Sequence, residues 1–136
     1  MDILIDTNIL ISAFVFPDKS INKFFLDLCK KYNVLICSYS LIELADVLGR
    51  KFPHLVGNVD EFLMRIKFTQ IFTPAQNVID EILGEISLRD KKDNPILASA
   101  IFADADVLIT GDKDFFGLNI ERPQILTVNE FLDLYI

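Results

Sequence analysis

Histidine and cysteine are scarce in this chain, and positive charge is outnumbered. His54 is the only histidine and is assigned no role; Cys29 and Cys37 are the only cysteines. The cysteines show no CxxC spacing and lie among apolar neighbours, so both read as reduced core residues. No apolar stretch approaches the ~20 residues that a membrane span requires. The N-terminal segment carries Asp2 and Asp6 and no basic cluster, so no secretory signal is expected and a cytoplasmic location follows. Lysine and arginine total 13 against 20 acids, a net charge of −7. That argues against general, charge-driven nucleic-acid binding, which needs a basic face. It leaves room for an enzyme whose acids gather in one site.

No repeat, low-complexity tract or linker interrupts the chain. At 136 residues, 51% of them hydrophobic and 24% charged, residues 1–136 are expected to form one globular domain. Short β-branched runs alternate with longer helical patterns, which predicts an α/β fold: a three-layer α/β/α architecture around a mostly parallel central sheet. The strand candidates are Ile3 to Ile5, Val34 to Cys37, Val107 to Thr110 and Ile125 to Thr127, with a weaker one at Ile71-Phe72. All are near-continuous apolar runs, as expected of strands covered on both faces. Predicted helices run from Ser20 to Tyr32, from Ser40 (core positions Leu41, Leu44, Ala45 and Leu48), from Asp60 to Gln70, from Asn77 to Leu88 and from Pro95 to Ala103. Thr127-Val128-Asn129-Glu130 matches a capping box and opens a terminal helix carrying Phe131, Leu132 and Leu134.

Against this scheme the acids fall in a pattern. Asp6 cuts an apolar run directly after the first strand. Glu43 lies in the first turn of the helix after the second strand. Asp112 and Asp114 follow the strand at Val107, and Asp93 precedes the buried helix at Pro95. In open parallel sheets ligands bind beyond the carboxyl ends of the strands, where Asp6, Glu43, Asp112 and Asp114 belong by connectivity and Asp93 joins them if its helix points the same way. Each acid also has a local explanation. Ser40-Leu41-Ile42-Glu43 is itself a capping box. Asp93 suits a helix cap, or is spare if Pro95 takes the first helical position and Asn94 caps. Asp112 and Asp114 suit an Asp-rich turn. Gathered together, however, carboxylates at 4 Å repel by ~4 kcal/mol per pair at an effective dielectric near 20, more than capping returns. Such a cluster persists only when protons or hard cations share it. Oxygen donors without accompanying histidine or cysteine select Mg²⁺ or Mn²⁺ over zinc.

In this order Asp6-Thr7-Asn8, Glu43, Asp93 in KDNPILASA, and Thr110-Gly111-Asp112-Lys113-Asp114-Phe115 resemble the motifs of the PIN-domain ribonucleases. The closing segment Ile125 to Leu132 also resembles that family's last strand and helix, so the likeness spans nearly the whole chain. The resemblance implies metal-dependent cleavage of single-stranded or looped RNA, leaving a 5′-phosphate and a 3′-hydroxyl. Asp6, Glu43, Asp93 and Asp112 would then be catalytic acids and metal ligands, with Asp114 an added ligand. Asn8 and Thr110 would support them by hydrogen bonds. The resemblance further implies the toxin half of a toxin–antitoxin pair, with an antitoxin partner and a homodimer or higher homo-oligomer. Lys91, Lys92, Lys113 and Arg89 flank the acidic motifs, as phosphate contacts or as ordinary loop charges. Two other readings stay open. A haloacid-dehalogenase-like phosphatase would use Asp6 as nucleophile, although Asn8 stands where its second aspartate is expected. The chain is otherwise a catalytically silent PIN scaffold.

Overall fold

The unbroken apolar runs of the sequence become the middle of a parallel sheet in the computed structural model, which describes residues 1–86 and 91–135. The five strands are β1 (Asp2–Ile5), β2 (Asn33–Cys37), β3 (Thr69–Ile71), β4 (Val107–Ile109) and β5 (Gln124–Leu126). Their order across the sheet is β3-β2-β1-β4-β5, with every neighbouring pair parallel. Ile3, Leu4 and Ile5 of β1 are fully buried, as a central strand demands, whereas Thr69, Gln70 and Gln124 on the two edge strands are exposed.

Seven helices cover the two faces: α1 (Thr7–Val15), α2 (Ser20–Lys31), α3 (Ser38–Lys51), α4 (Val59–Arg65), α5 (Gln76–Leu83), α6 (Asn94–Phe102) and α7 (Val128–Tyr135) among the described residues. Strand side chains alternate between the faces. Ile3, Ile5, Val34, Ile36, Val107 and Ile109 pack with Phe24, Phe25, Phe62 and Phe131 on one side. Leu4, Leu35, Cys37 and Leu108 pack with Ile79, Leu83, Leu97 and Phe115 on the other. The three-layer α/β/α expectation therefore holds. Both cysteines are free and buried, and burial pushes the Cys29 thiol up to about 11.

From β1 the chain steps outward to β2 and β3, then returns to place β4 on the other side of β1. The direction of winding thus reverses between β1 and β4, and a crevice opens beyond their carboxyl ends. Asp6 and Thr110 are the first residues past those ends.

Several elements depart from expectation. α1 has no counterpart among the predicted helices, because TNILISAFV is apolar nearly all round and shows no polar face to reveal its period. The stretch expected as one helix from Asp60 to Gln70 divides: α4 ends at Arg65, and Thr69–Ile71 joins the sheet by pairing with Leu35 to Cys37 of β2. Pairing with a buried neighbour there outweighs helical periodicity, and Phe72, the other residue of the weak strand candidate, is 76% exposed. α3 begins at Ser38, two residues early, and leaves Ala45 exposed. Ser20 is the first residue of α2 rather than its cap. α5 stops at Leu83, where Gly84 turns at φ +56°, a conformation glycine adopts cheaply; the expected end at Leu88 lies outside the described residues. The Thr127–Glu130 capping box is present in both directions, at 3.0 and 3.1 Å, although Leu134 is exposed. Among the described residues, no helix is long and apolar enough to cross a membrane.

Candidate active site

Asp6 leaves β1 in extended conformation and caps α1. Its own N–H still donates to the Ile109 carbonyl at 3.0 Å, the last link between β1 and β4. Its carboxylate is carried into the crevice and is only 2% exposed. Thr110, fully buried at the end of β4, donates its hydroxyl to Asp6 Oδ2 at 2.7 Å. The same oxygen accepts the Asp112 N–H at 3.0 Å, so the hydroxyl proton is directed at Asp6. Burial raises the Asp6 carboxyl above its ordinary range, the Thr110 hydroxyl and the Thr7 N–H oppose that rise, and the charges of Asp112 and Glu43 add to it.

Glu43 is not held by a capping box. Because α3 starts at Ser38, Glu43 falls in the second turn, and Ser40 is fully buried with its hydroxyl engaged elsewhere. Glu43 Oε1 lies 2.7 Å from Thr7 Oγ1, which lies 2.8 Å from Ser40 Oγ. Ser40 Oγ in turn lies 3.3 Å from Cys37 Sγ. A second set of hydroxyls fixes the start of α3. Thr73, just past β3, accepts the Tyr39 N–H, and its own N–H donates to Ser38 Oγ. The Ser99 hydroxyl donates to the Pro95 carbonyl at 2.7 Å, so the Thr73 hydroxyl donates to Ser99 Oγ at 3.2 Å. Ser99 belongs to α6, so Thr73 joins the helix that carries Glu43 to the helix that Asp93 opens.

Asp93 ends a short 3₁₀ turn (Lys91–Asp93) and is itself the residue flanking α6, with Asn94 the first helical residue and Pro95 the second. Of the two readings of Asp93, the flanking position of the helix is the one observed, and Asn94 is already helical. Proline is accommodated equally well there, since the N–H it removes has no helical acceptor. The Asp93 side chain makes no capping hydrogen bond. Asp112 Oδ1 accepts the Asp114 N–H at 2.9 Å and folds Lys113–Phe115 into a 3₁₀ turn. Fully buried Phe115 anchors that turn in the core. The turn therefore presents both aspartates to Asp93: one carboxylate oxygen each from Asp93, Asp112 and Asp114 lie within 4.8 Å of one another.

Asp6 and Glu43 lie outside that triad, although Glu43 and Asp112 both act on the Asp6 carboxyl. Asn8 is exposed, and its amide bonds to none of the described residues. The Thr110 hydroxyl meets Asp6 and the Thr7 hydroxyl meets Glu43, while Ser40 backs Thr7 and Thr73 braces the start of α3. Thr7 stands in the Asp6-Thr7-Asn8 motif and Ser40 in the Ser40–Glu43 capping pattern, but no spacing shows which partner a buried hydroxyl meets, and Thr73 carries no signal of its own. Lys91, Lys92 and Lys113 are exposed beside the triad, and Arg89 lies outside the described residues. A cavity of about 350 Å³ reached by Lys30, Lys31 and Lys67 sits instead against Asn33 and Thr69, at the amino ends of β2 and β3.

A small hard cation with ligands about 2.1 Å away holds adjacent donors about 3 Å apart and opposite donors about 4 Å apart, so three carboxylate oxygens within 4.8 Å of one another share one such ion after a small inward movement. The donor set is oxygen alone. Asn94 Oδ1, buried next to Asp93 without a hydrogen-bond partner among the described residues, is a further oxygen suited to an ion or a bound water.

Comparison with known proteins agrees with this geometry. A chain in the crystal structure of VapBC2 from Rickettsia felis bound to a DNA fragment from their promoter superimposes with a TM-score of 0.72. The two are 23% identical, and the match covers 93% of this chain and 98% of that one; at this identity the likeness concerns the fold. No curated protein matches the sequence. The model of the PIN domain family matches residues 2–114, a span that contains Asp6, Glu43, Asp93, Asp112 and Asp114. The chain belongs to the PIN domain family.

Proposed function

We propose that the chain is a Mg²⁺- or Mn²⁺-dependent endoribonuclease that hydrolyses phosphodiester bonds at the carboxyl rim of its sheet. The observation that carries this reading is the meeting of Asp93, Asp112 and Asp114 within 4.8 Å beside the buried Asp6. Crowding like charges in this way costs electrostatic free energy, screened in part by the solvent that these half-buried groups meet. A divalent cation removes that cost. Asp93, Asp112 and Asp114 would hold the cation, with Asp6 and Glu43 completing the acidic site.

When bound, the cation supplies a water of lowered pKa and positive charge against the scissile phosphate. The residues of the chain do the rest. The Thr110 hydroxyl favours the charged form of Asp6 against the effect of burial and aims it into the crevice, and the Asp112–Asp114 turn keeps two carboxylates on one side of it. Lys92 and Lys113, exposed beside the acids, are placed to meet the phosphates of a substrate strand in an otherwise anionic protein. The proposal extends to a toxin held silent by a small antitoxin, in keeping with the likeness to a chain of VapBC2, and to a homodimer or higher homo-oligomer in the cytoplasm, as the sequence resemblance implies.

Asp6→Asn and Asp112→Asn preserve shape and remove one charge each. Both are expected to abolish Mn²⁺-dependent cleavage of single-stranded RNA while leaving the far-ultraviolet circular dichroism unchanged. Undiminished cleavage by either variant would overturn the assignment.

A further inference from the structure

Thr7, Ser40 and Cys37 stand in line behind Glu43, and proton counting orders them. An ionised carboxylate only accepts, so at 2.7 Å the Thr7 hydroxyl must donate to Glu43 Oε1. A hydroxyl has a single proton, so the 2.8 Å contact between Thr7 and Ser40 requires Ser40 to donate to Thr7. Ser40 has then spent its proton, and its 3.3 Å contact with Cys37 requires the thiol to donate. We infer that Cys37, Ser40 and Thr7 form a one-way hydrogen-bond chain that holds the Glu43 carboxylate in place, with Thr7 and Ser40 acting as positioning residues.

Burial makes the order binding. Thr7 is 4% exposed, and Ser40 and Cys37 are fully buried, so no solvent water substitutes for a missing link. The chain also crosses elements: Cys37 ends β2, Ser40 and Glu43 belong to α3, and Thr7 opens α1. Thr7 follows Asp6 directly. Its N–H serves the Asp6 carboxylate while its hydroxyl serves Glu43, so one residue sets the separation of two acids from distant parts of the sequence. The final link is the weakest, because a thiol is a poor donor.

The chain itself follows from geometry; its role in metal binding rests on the nuclease reading, and the test separates the two. In metal-free buffer, Thr7→Val, Glu43→Ala and the double variant form a cycle of denaturation midpoints. Non-additive midpoints are expected, and strict additivity would overturn the chain. In the second arm, Mn²⁺ affinity is read by electron paramagnetic resonance. Thr7→Val is expected to weaken it about 10-fold or more, Ser40→Ala to weaken it less, and Thr7→Ser to restore it. Equal affinity in wild type and Thr7→Val, or equal losses in Thr7→Val and Thr7→Ser, would overturn the positioning role. Absence of Mn²⁺ binding by the wild type would strike the nuclease reading and the positioning role, while the metal-free cycle still judges the chain.

Discussion

Replacing Thr110 by valine probes a deeply buried link in the site. The side chain keeps its shape, so no cavity opens; what disappears is the hydroxyl between Asp6 Oδ2 (2.7 Å) and the Asp112 N–H (3.0 Å). A hydrogen bond to a charged group contributes about 1.5–3 kcal/mol, and a stranded, partly buried N–H costs about 1 kcal/mol more. Thr110→Val is therefore expected to lose about 3 kcal/mol at neutral pH. For a chain of this length that is a fall of about 10 °C in melting temperature. The loss should depend on pH in a defined sense. The Asp6 carboxyl is raised in the folded state, so the stability that its proton contributes is present below the unfolded value of about 3.9 and is lost as pH rises through the folded value. Deleting the Thr110 donor raises the folded value further. The penalty of the variant should then be full above its own folded value. It should shrink by about 1.4 kcal/mol per pH unit as pH falls towards the wild-type value. Calorimetric melts of wild type, Thr110→Val and Thr110→Ser in chelator, from neutrality down into the carboxylate range, measure this. A loss below about 0.5 kcal/mol, or one that does not change with pH, would refute the account of how Asp6 is held.

Two further outcomes follow from the same geometry. Asp112→Asn retains an oxygen for the Asp114 N–H and removes a repelling charge, so in chelator it should melt no lower than wild type. Asp112→Ala loses the turn cap and should fall by about 1 kcal/mol; equal melting of the two would deny the cap. Mn²⁺ at 100 times its dissociation constant should stabilise the wild type by about 2.7 kcal/mol, read as a rise in melting temperature. The same titration of Asp93→Asn should show a much smaller rise, and matching rises would remove Asp93 from the site.

The layered parallel fold was legible because its strands are short apolar runs and its longer helices carry a polar face. α1 was not, since a helix buried nearly all round has no periodicity to read. The division of the stretch from Asp60 to Gln70 depended on β2 offering an unpaired edge, which no local pattern announces. The acids were legible because a charge in an apolar setting breaks a pattern. Asp6 did so inside its own run, and Asp112 and Asp114 did so after a strand.

The hydroxyls around those acids followed different rules. Sequence spacing pointed to Ser40 and Glu43 as a self-contained cap, and folding instead turned both towards Thr7, because α3 began two residues sooner. Local composition, then, was enough to specify the class of fold, the strand order's raw material and which carboxylates lie at strand ends. The triad of Asp93, Asp112 and Asp114, and the roles of Thr7, Ser40, Thr73 and Thr110, required the assembled molecule. A hydrogen bond is set by distances between groups that can lie more than a hundred residues apart along the chain, as Thr110 and Asp6 do. Periodicity reports only which side of an element is buried, never which partner it meets there.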